Sequence, residues 1–177
     1  MSIYPGFRLP PLVPPKRRVF VSYHHDWDQY WFDEFDRLFC GTLDLLTNRS
    51  LEEPVDSDQI EYVHRAIRER NICGTSITIV LCGLETWRRK CVDWEIGSTL
   101  NMCHALLGIG LPTVARNLGG GAHVPDRLLV NYQNGYAPWL TCPVYADQLM
   151  AAIEDAIRQS KTYAYDNSQP FMTRNRS

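Results

Sequence analysis

No apolar run in this 177-residue chain approaches the roughly 20 residues needed to cross a bilayer. Prolines interrupt the N-terminus before an apolar stretch develops, so the hydrophobic region of a secretory signal is not expected there. Excess charge is also scarce: the formal net charge of −2 argues against a nucleic-acid or anionic-membrane partner. The cysteines (Cys40, Cys73, Cys82, Cys91, Cys103 and Cys142) include no CxxC pair, and Cys103-His104 lacks a zinc-ligand spacing. No metal site is therefore expected. Several of these cysteines sit in apolar periodic segments, where a reduced thiol acts as a small hydrophobe, and they read as thiols of a cytoplasmic protein. Three further signatures are missing. Gly119-Gly120-Gly121 is not followed by the Lys-Ser/Thr of a P-loop, no GxGxxG opens a helix after the first strand, and no GxSxG elbow occurs. A nucleoside triphosphatase, a dinucleotide dehydrogenase and a serine hydrolase are all disfavoured.

What is present is an alternation of strand and helix patterns in a length that suits one domain. Residues 1–16 are a proline-rich arm, 17–160 the domain, and 161–177 a polar tail expected to fray. Arg18–Ser22 reads as the first strand, and Asp44–Leu46 as a short second one. Between them Trp31, Phe32, Phe35, Leu38 and Phe39 follow a helical stripe, with Asp26 or Asp28 as its cap. Asp56 and Gln59 have capping-box spacing ahead of the stripe Ile60, Val63 and Ile67, which predicts another helix. Ile77–Cys82 is unbroken and apolar, as in a strand buried on both faces. A helix follows from about Val92, with Val92, Ile96, Leu100, Cys103 and Leu107 on one face. Leu111–Ala115 and residues 140–144 read as further strands, Gly119-Gly120-Gly121 as a flexible loop, and Leu149, Ile153, Ala156 and Ile157 mark a last helix. This order predicts an α/β fold, a parallel sheet with helices on both faces.

Glu95 is the leading candidate for chemistry. It stands near the start of the helix after the buried strand, about 100° round from Ile96 and so at the edge of the sheet-facing stripe. Ligands of open α/β sheets bind where strands end and helices begin. A carboxylate half-buried there can act as acid, base or nucleophile; its plainer role is to complement the helix dipole. Ser22, Tyr23, His24 and Asp26 would reach the same sheet edge from the first loop, as would Gly83, Thr86 and Trp87 from the loop before Glu95. Tyr23 and Trp87 are candidates to stack on a heteroaromatic ring, and the hydroxyls, imidazoles and backbone N–H groups to bind ribose or phosphate. Arg88, Arg89 and Lys90 either bind a pyrophosphate or form a solvated basic face.

Lys16-Arg17-Arg18-Val19-Phe20-Val21-Ser22-Tyr23 resembles the start of the TIR-like domains of bacterial Thoeris antiphage systems. Ala66–Arg70, Ile77–Thr86 and Asp93-Trp94-Glu95-Ile96 resemble the same family in order and spacing, over about residues 16–115. The resemblance implies a flavodoxin-like three-layer domain. It further implies that Glu95 matches the glutamate with which enzymatic TIR domains cleave the nicotinamide–ribose bond. NAD would be a substrate rather than a bound cofactor. The product, a cyclic or conjugated ADP-ribose signal made on sensing a phage trigger, would activate a partner effector, and protomers would assemble as a homo-oligomer to complete the pocket. Two other readings stand beside it: a non-catalytic TIR-like interaction module, and a nucleoside deoxyribosyltransferase-like enzyme. Residues after Ala115 match no pattern of the family.

Overall fold

The computed structural model describes residues 16–47 and 72–176. The proline-rich arm and the helix expected around Ile60–Ile67 lie outside the described residues. Five strands form one parallel sheet in the order β2-β1-β3-β4-β5: β1 (Arg17–Ser22), β2 (Leu43–Thr47), β3 (Ile77–Cys82), β4 (Ala105–Gly110) and β5 (Trp139–Thr141). This is the flavodoxin-like strand order, in which the chain reverses direction across the sheet between β1 and β3.

Alternation along each central strand divides the core into two layers. Val19 and Val21, Ile77, Ile79 and Leu81, and Leu107 and Ile109 face α1 (His25–Phe39) and α4 (Ala146–Thr162). Val80, Cys82 and Leu106 face α2 (Lys90–Asn101) and α3 (Asp126–Gln133), meeting Val92, Ile96, Leu100 and Leu128. Every residue of β3 and β4 is buried, which is why those strands show no polar alternation in sequence. Each fully buried Ile or Leu contributes about 1.5–3 kcal/mol to this two-sided core.

Four expectations are corrected. The helix carrying Glu95 stops at Asn101, because Cys103 turns into the left-handed region (φ 55°) and His104 N–H closes back on the Thr99 carbonyl. Cys103 is exposed, Leu107 belongs to β4, and residues 111–115 form the loop beyond that strand rather than a strand of their own. Neither Asp26 nor Asp28 caps α1: its N-cap is His24, with no side-chain cap bond. The last strand is shorter than expected and ends at Thr141.

The polar tail does not fray. Residues 163–176 run as a strap over α2 and α3, fixed by Arg127, which is 1% exposed. Arg127 Nε donates to Asp93 (3.0 Å), its other nitrogens donate to Asn167 and to the Gln169 carbonyl (3.0 Å), and its guanidinium lies 4.5 Å from the Phe171 ring centre. Met172 N–H donates to Asp93 (2.9 Å), and Trp94 Nε1 donates to the Met172 carbonyl (2.8 Å). Phe171 lies so close over Gly97 that any side chain at 97 would collide with its ring. Further along, Asn175 caps the N-terminus of α2 by accepting from Lys90 N–H (2.9 Å), and Arg176 pairs with Asp126 (2.5 Å).

Candidate active site

α1 covers one face of the sheet and α2 the other, so the loops leaving β1 and β3 flank the switch point at its carboxyl edge, where open α/β sheets take ligands. Ser22, the last residue of β1, points to the α2 face. Its hydroxyl donates to Glu95 Oε2 at 2.6 Å, a charge-assisted length that locks strand to helix. Glu95 is 4% exposed. Its backbone carbonyl accepts from the Thr99 hydroxyl (2.8 Å), which is in turn 2.7 Å from Thr78 on β3. Cys91, one turn ahead of Glu95, has its thiol pushed up to about 11 by burial and by the Glu95 charge, so it is not a thiolate nucleophile.

A second buried carboxylate lies where α1 meets the loop after β3. Asp28 stands on the inward stripe of α1 with Phe32, Phe35 and Phe39, and is 1% exposed. Thr86 Oγ1 donates to Asp28 Oδ2 (3.0 Å) and accepts from Gly83 N–H (2.8 Å). A Cβ at residue 83 would overlap the Asp28 carboxylate, so only glycine allows the loop this close. Gly83 and Thr86 therefore act on Asp28, and their distance from any ligand is set by that tether. Burial raises the Asp28 carboxyl from 3.8 to about 6, against the pull of the Thr86 hydroxyl and the Arg89 charge.

The remaining expected groups divide. Tyr23 is buried, stacked on Phe32 (4.6 Å between centroids, 5° between planes) and hydrogen-bonded through its hydroxyl to Gln29 (2.9 Å). It is a core residue of the α1 layer and not a platform for a ligand ring. Trp87, in the 3₁₀ turn Thr86–Arg88, stacks on His123 (3.9 Å, 17°) with the Arg88 guanidinium 4.7 Å from its centre, so its π surface is used within the chain. Arg88 and Arg89 both pair with Glu85, at 3.3 and 3.6 Å, which neutralises much of the expected basic face. His24 is 7% exposed and Asp26 82% exposed, with Nε2 of the one 3.4 Å from Oδ2 of the other. Ser22 and Glu95 are thus brought together, His24 is buried beside Asp26, and Tyr23 is withdrawn into the α1 layer. The Gly-rich loop turns at Gly119–Gly121 and delivers His123 to Trp87.

A family model described as "Thoeris protein ThsB, TIR-like domain" matches residues 20–116, which is more than half of the chain and runs from β1 to just beyond β4. The chain belongs to this Thoeris TIR-like family. None of the curated proteins matches its sequence. Among solved structures it is similar to the TIR domains of the activated Roq1 resistosome directly recognizing the pathogen effector XopQ, at 10% identity, covering 82% of this chain and 84% of that one, with a TM-score of 0.38. The family match spans Ser22, Gly83, Thr86 and Glu95, and stops before α3 and the strap.

Two functional groupings escaped the sequence. Asp28 read as a cap, although its place at i, i+4, i+7 and i+11 with three phenylalanines put a carboxylate on a core stripe. Arg127 stands beside Leu128 on the buried side of α3, a charged residue where an apolar one would be expected. Among the described residues, no cluster of three or more His, Cys, Asp or Glu side chains could hold a metal ion, all six cysteines are free, and no helix is long and apolar enough to cross a membrane.

Proposed function

We propose that this Thoeris TIR-like protein cleaves the nicotinamide–ribose bond of NAD with Glu95, and that infection triggers it to make a cyclic or conjugated ADP-ribose signal for a partner effector. It acts in the cytoplasm, where NAD and reduced thiols coexist. The supporting observation is the Glu95 carboxylate itself: buried and held by Ser22 at the carboxyl end of β1, one of the two strands that flank the switch point where such sheets take ligands. Breaking the C–N bond builds positive charge on the anomeric carbon, which a carboxylate in a low-dielectric site can stabilise or trap. Nicotinamide departs neutral, so no strong acid is needed to protonate it. Folding the far end of the substrate back on that carbon, rather than admitting water, then sets the product; this is a matter of positioning.

The test is mass spectrometry of small molecules from phage-infected cells expressing wild-type or Glu95→Gln protein. A nucleotide product present with wild-type and absent with a folded Glu95→Gln variant is expected. Equal product from both would refute the role of Glu95. A second reading draws on the same contact: with 4% exposure and a 2.6 Å bond to Ser22, Glu95 also suits a structural pin in a non-catalytic interaction module. That module would keep its partner association after Glu95→Gln, and would leave NAD intact in wild-type cells.

A further inference from the structure

The outer flank of α1 is apolar where a surface helix would carry charge. Trp27, Tyr30 and Leu38 share one side of it and are 61%, 65% and 57% exposed. Beside them a cavity of about 490 Å³ follows three turns of the helix, from Tyr30 and Trp31 past Glu34 and Phe35 to Leu38 and Phe39. The span from residue 30 to residue 39 is roughly 14 Å of helix. Leu81 and Ile109, buried near the ends of β3 and β4, floor the cavity, and Pro112 and Cys142 stand across from α1. Among the described residues that line it, Glu34 alone is charged. An apolar, aromatic-lined hollow of this size, flanked by exposed aromatics, marks a binding surface rather than ordinary solvent-facing helix.

The sequence ahead of Lys16 has the matching chemistry. Residues 1–15 hold five prolines with Ile3, Phe7, Leu9, Leu12 and Val13 among them, and Arg8 is their one charged side chain. Aromatic-lined grooves commonly receive such segments, because a polyproline chain is already extended and loses little freedom on binding. The point of attachment also fits. Lys16 Nζ donates to the carbonyl of Cys40 (2.5 Å), the residue directly after Phe39, so the arm leaves the domain at the end of α1 where the cavity ends. In extended form residues 8–15 reach about 25 Å, more than the cavity's length along the helix. Glu34 takes Arg37 through Oε2 (2.8 Å), and a carboxylate has lone pairs for a second guanidinium.

We propose that this cavity is the docking groove of the chain's own proline-rich arm, with residues 9–15 laid along α1 and Arg8 set against Glu34. The occupied groove removes the aromatic flank of α1 from water and ties the start of the chain to the ends of β3 and β4. Glu95 lies in the other layer of the core, so docking is independent of the chemistry assigned to it.

Cys142 reports on the groove from within. Full-length Leu12→Cys protein is mildly oxidised and its disulfides are mapped by peptide mass spectrometry. A link from residue 12 to Cys142 of the same chain is expected to dominate, although Cys40, Cys73 and Cys103 are the more exposed thiols. In protein with its native cysteines, Leu12→Asp and Arg8→Glu are each expected to speed alkylation of Cys142 on the order of 10-fold, the scale of losing one anchoring contact, with Cys103 unchanged. Links that favour Cys40, Cys73 or Cys103, or a Cys142 alkylation rate that neither substitution moves, would overturn the proposal. A link to Cys142 formed only between two chains would overturn it too, and would assign the groove to the arm of a second copy.

Discussion

Asp28→Asn is expected to make the protein more stable at neutral pH, which is unusual for a change to a fully buried hydrogen-bonded residue. Burial raises the Asp28 carboxyl from 3.8 to about 6. Each unit of such a shift is worth about 1.4 kcal/mol, so keeping this group ionised in the fold costs about 3 kcal/mol. The native state holds its proton longer than the unfolded chain does, and stability therefore falls as pH rises through the window from 3.8 to about 6, then levels off above it. Asparagine removes the charge and keeps a carbonyl to accept from Thr86 Oγ1. Setting the new amide N–H groups against the Gly83 loop recovers only part of the gain, so about 1–2 kcal/mol is expected near pH 8. For a domain of this size that is a rise of roughly 2–8 °C in Tm. Guanidinium unfolding of both proteins near pH 8 and near pH 4 checks it: the variant leads at the higher pH, and the gap closes at the lower. A gap that ignores pH, or a variant less stable than wild-type near pH 8, would refute this account of Asp28.

Arg127→Met is expected to cost about 3–5 kcal/mol, the range for removing one partner of a buried ion pair, and to open residues 163–176 to proteolysis while α1 and the sheet stay protected. A strap still resistant to protease in the folded variant would contradict the clamp. Ser22→Ala deletes the 2.6 Å bond to Glu95 and is expected to lower stability by roughly 1.5–3 kcal/mol, the value of a hydrogen bond to a charged group; an unchanged denaturation midpoint would mean that Glu95 draws nothing from Ser22.

β1, β3, α1 and α4 were legible because apolar periodicity reports burial and each is held mainly by burial, whereas the short α3, with Arg127 and Asn131 on its buried side, left no such stripe. Ile77–Cys82 shows it best: six residues buried on both faces leave a pattern that little else produces. The same signal misled at residues 102–110, where Cys103 and Leu107 happened to continue the stripe of α2. A single left-handed residue ends that helix, and periodicity carries no trace of it. The tail failed for the opposite reason. Asn167, Asn175 and Arg176 look like solvent residues until their partners Arg127, Lys90 and Asp126 are placed, and such pairings are invisible along the chain. At the candidate site, the position of Glu95 beside the end of β1 followed from where strands end. Tyr23 did not, because an aromatic one position past Ser22 must turn to the other face of the sheet.

The strap also orders events in time. α2, with Glu95 on it, is synthesised well before residues 163–176, and the Arg127–Asn167 bond, the Phe171 cover over Gly97 and the Asn175 cap all wait for that later stretch. A nascent chain that has emerged only to β5 has its sheet assembled but its candidate catalytic helix unclamped. The helix that carries Glu95 thus stays without its cover while the chain is still on the ribosome, and the delay comes with the order of the sequence.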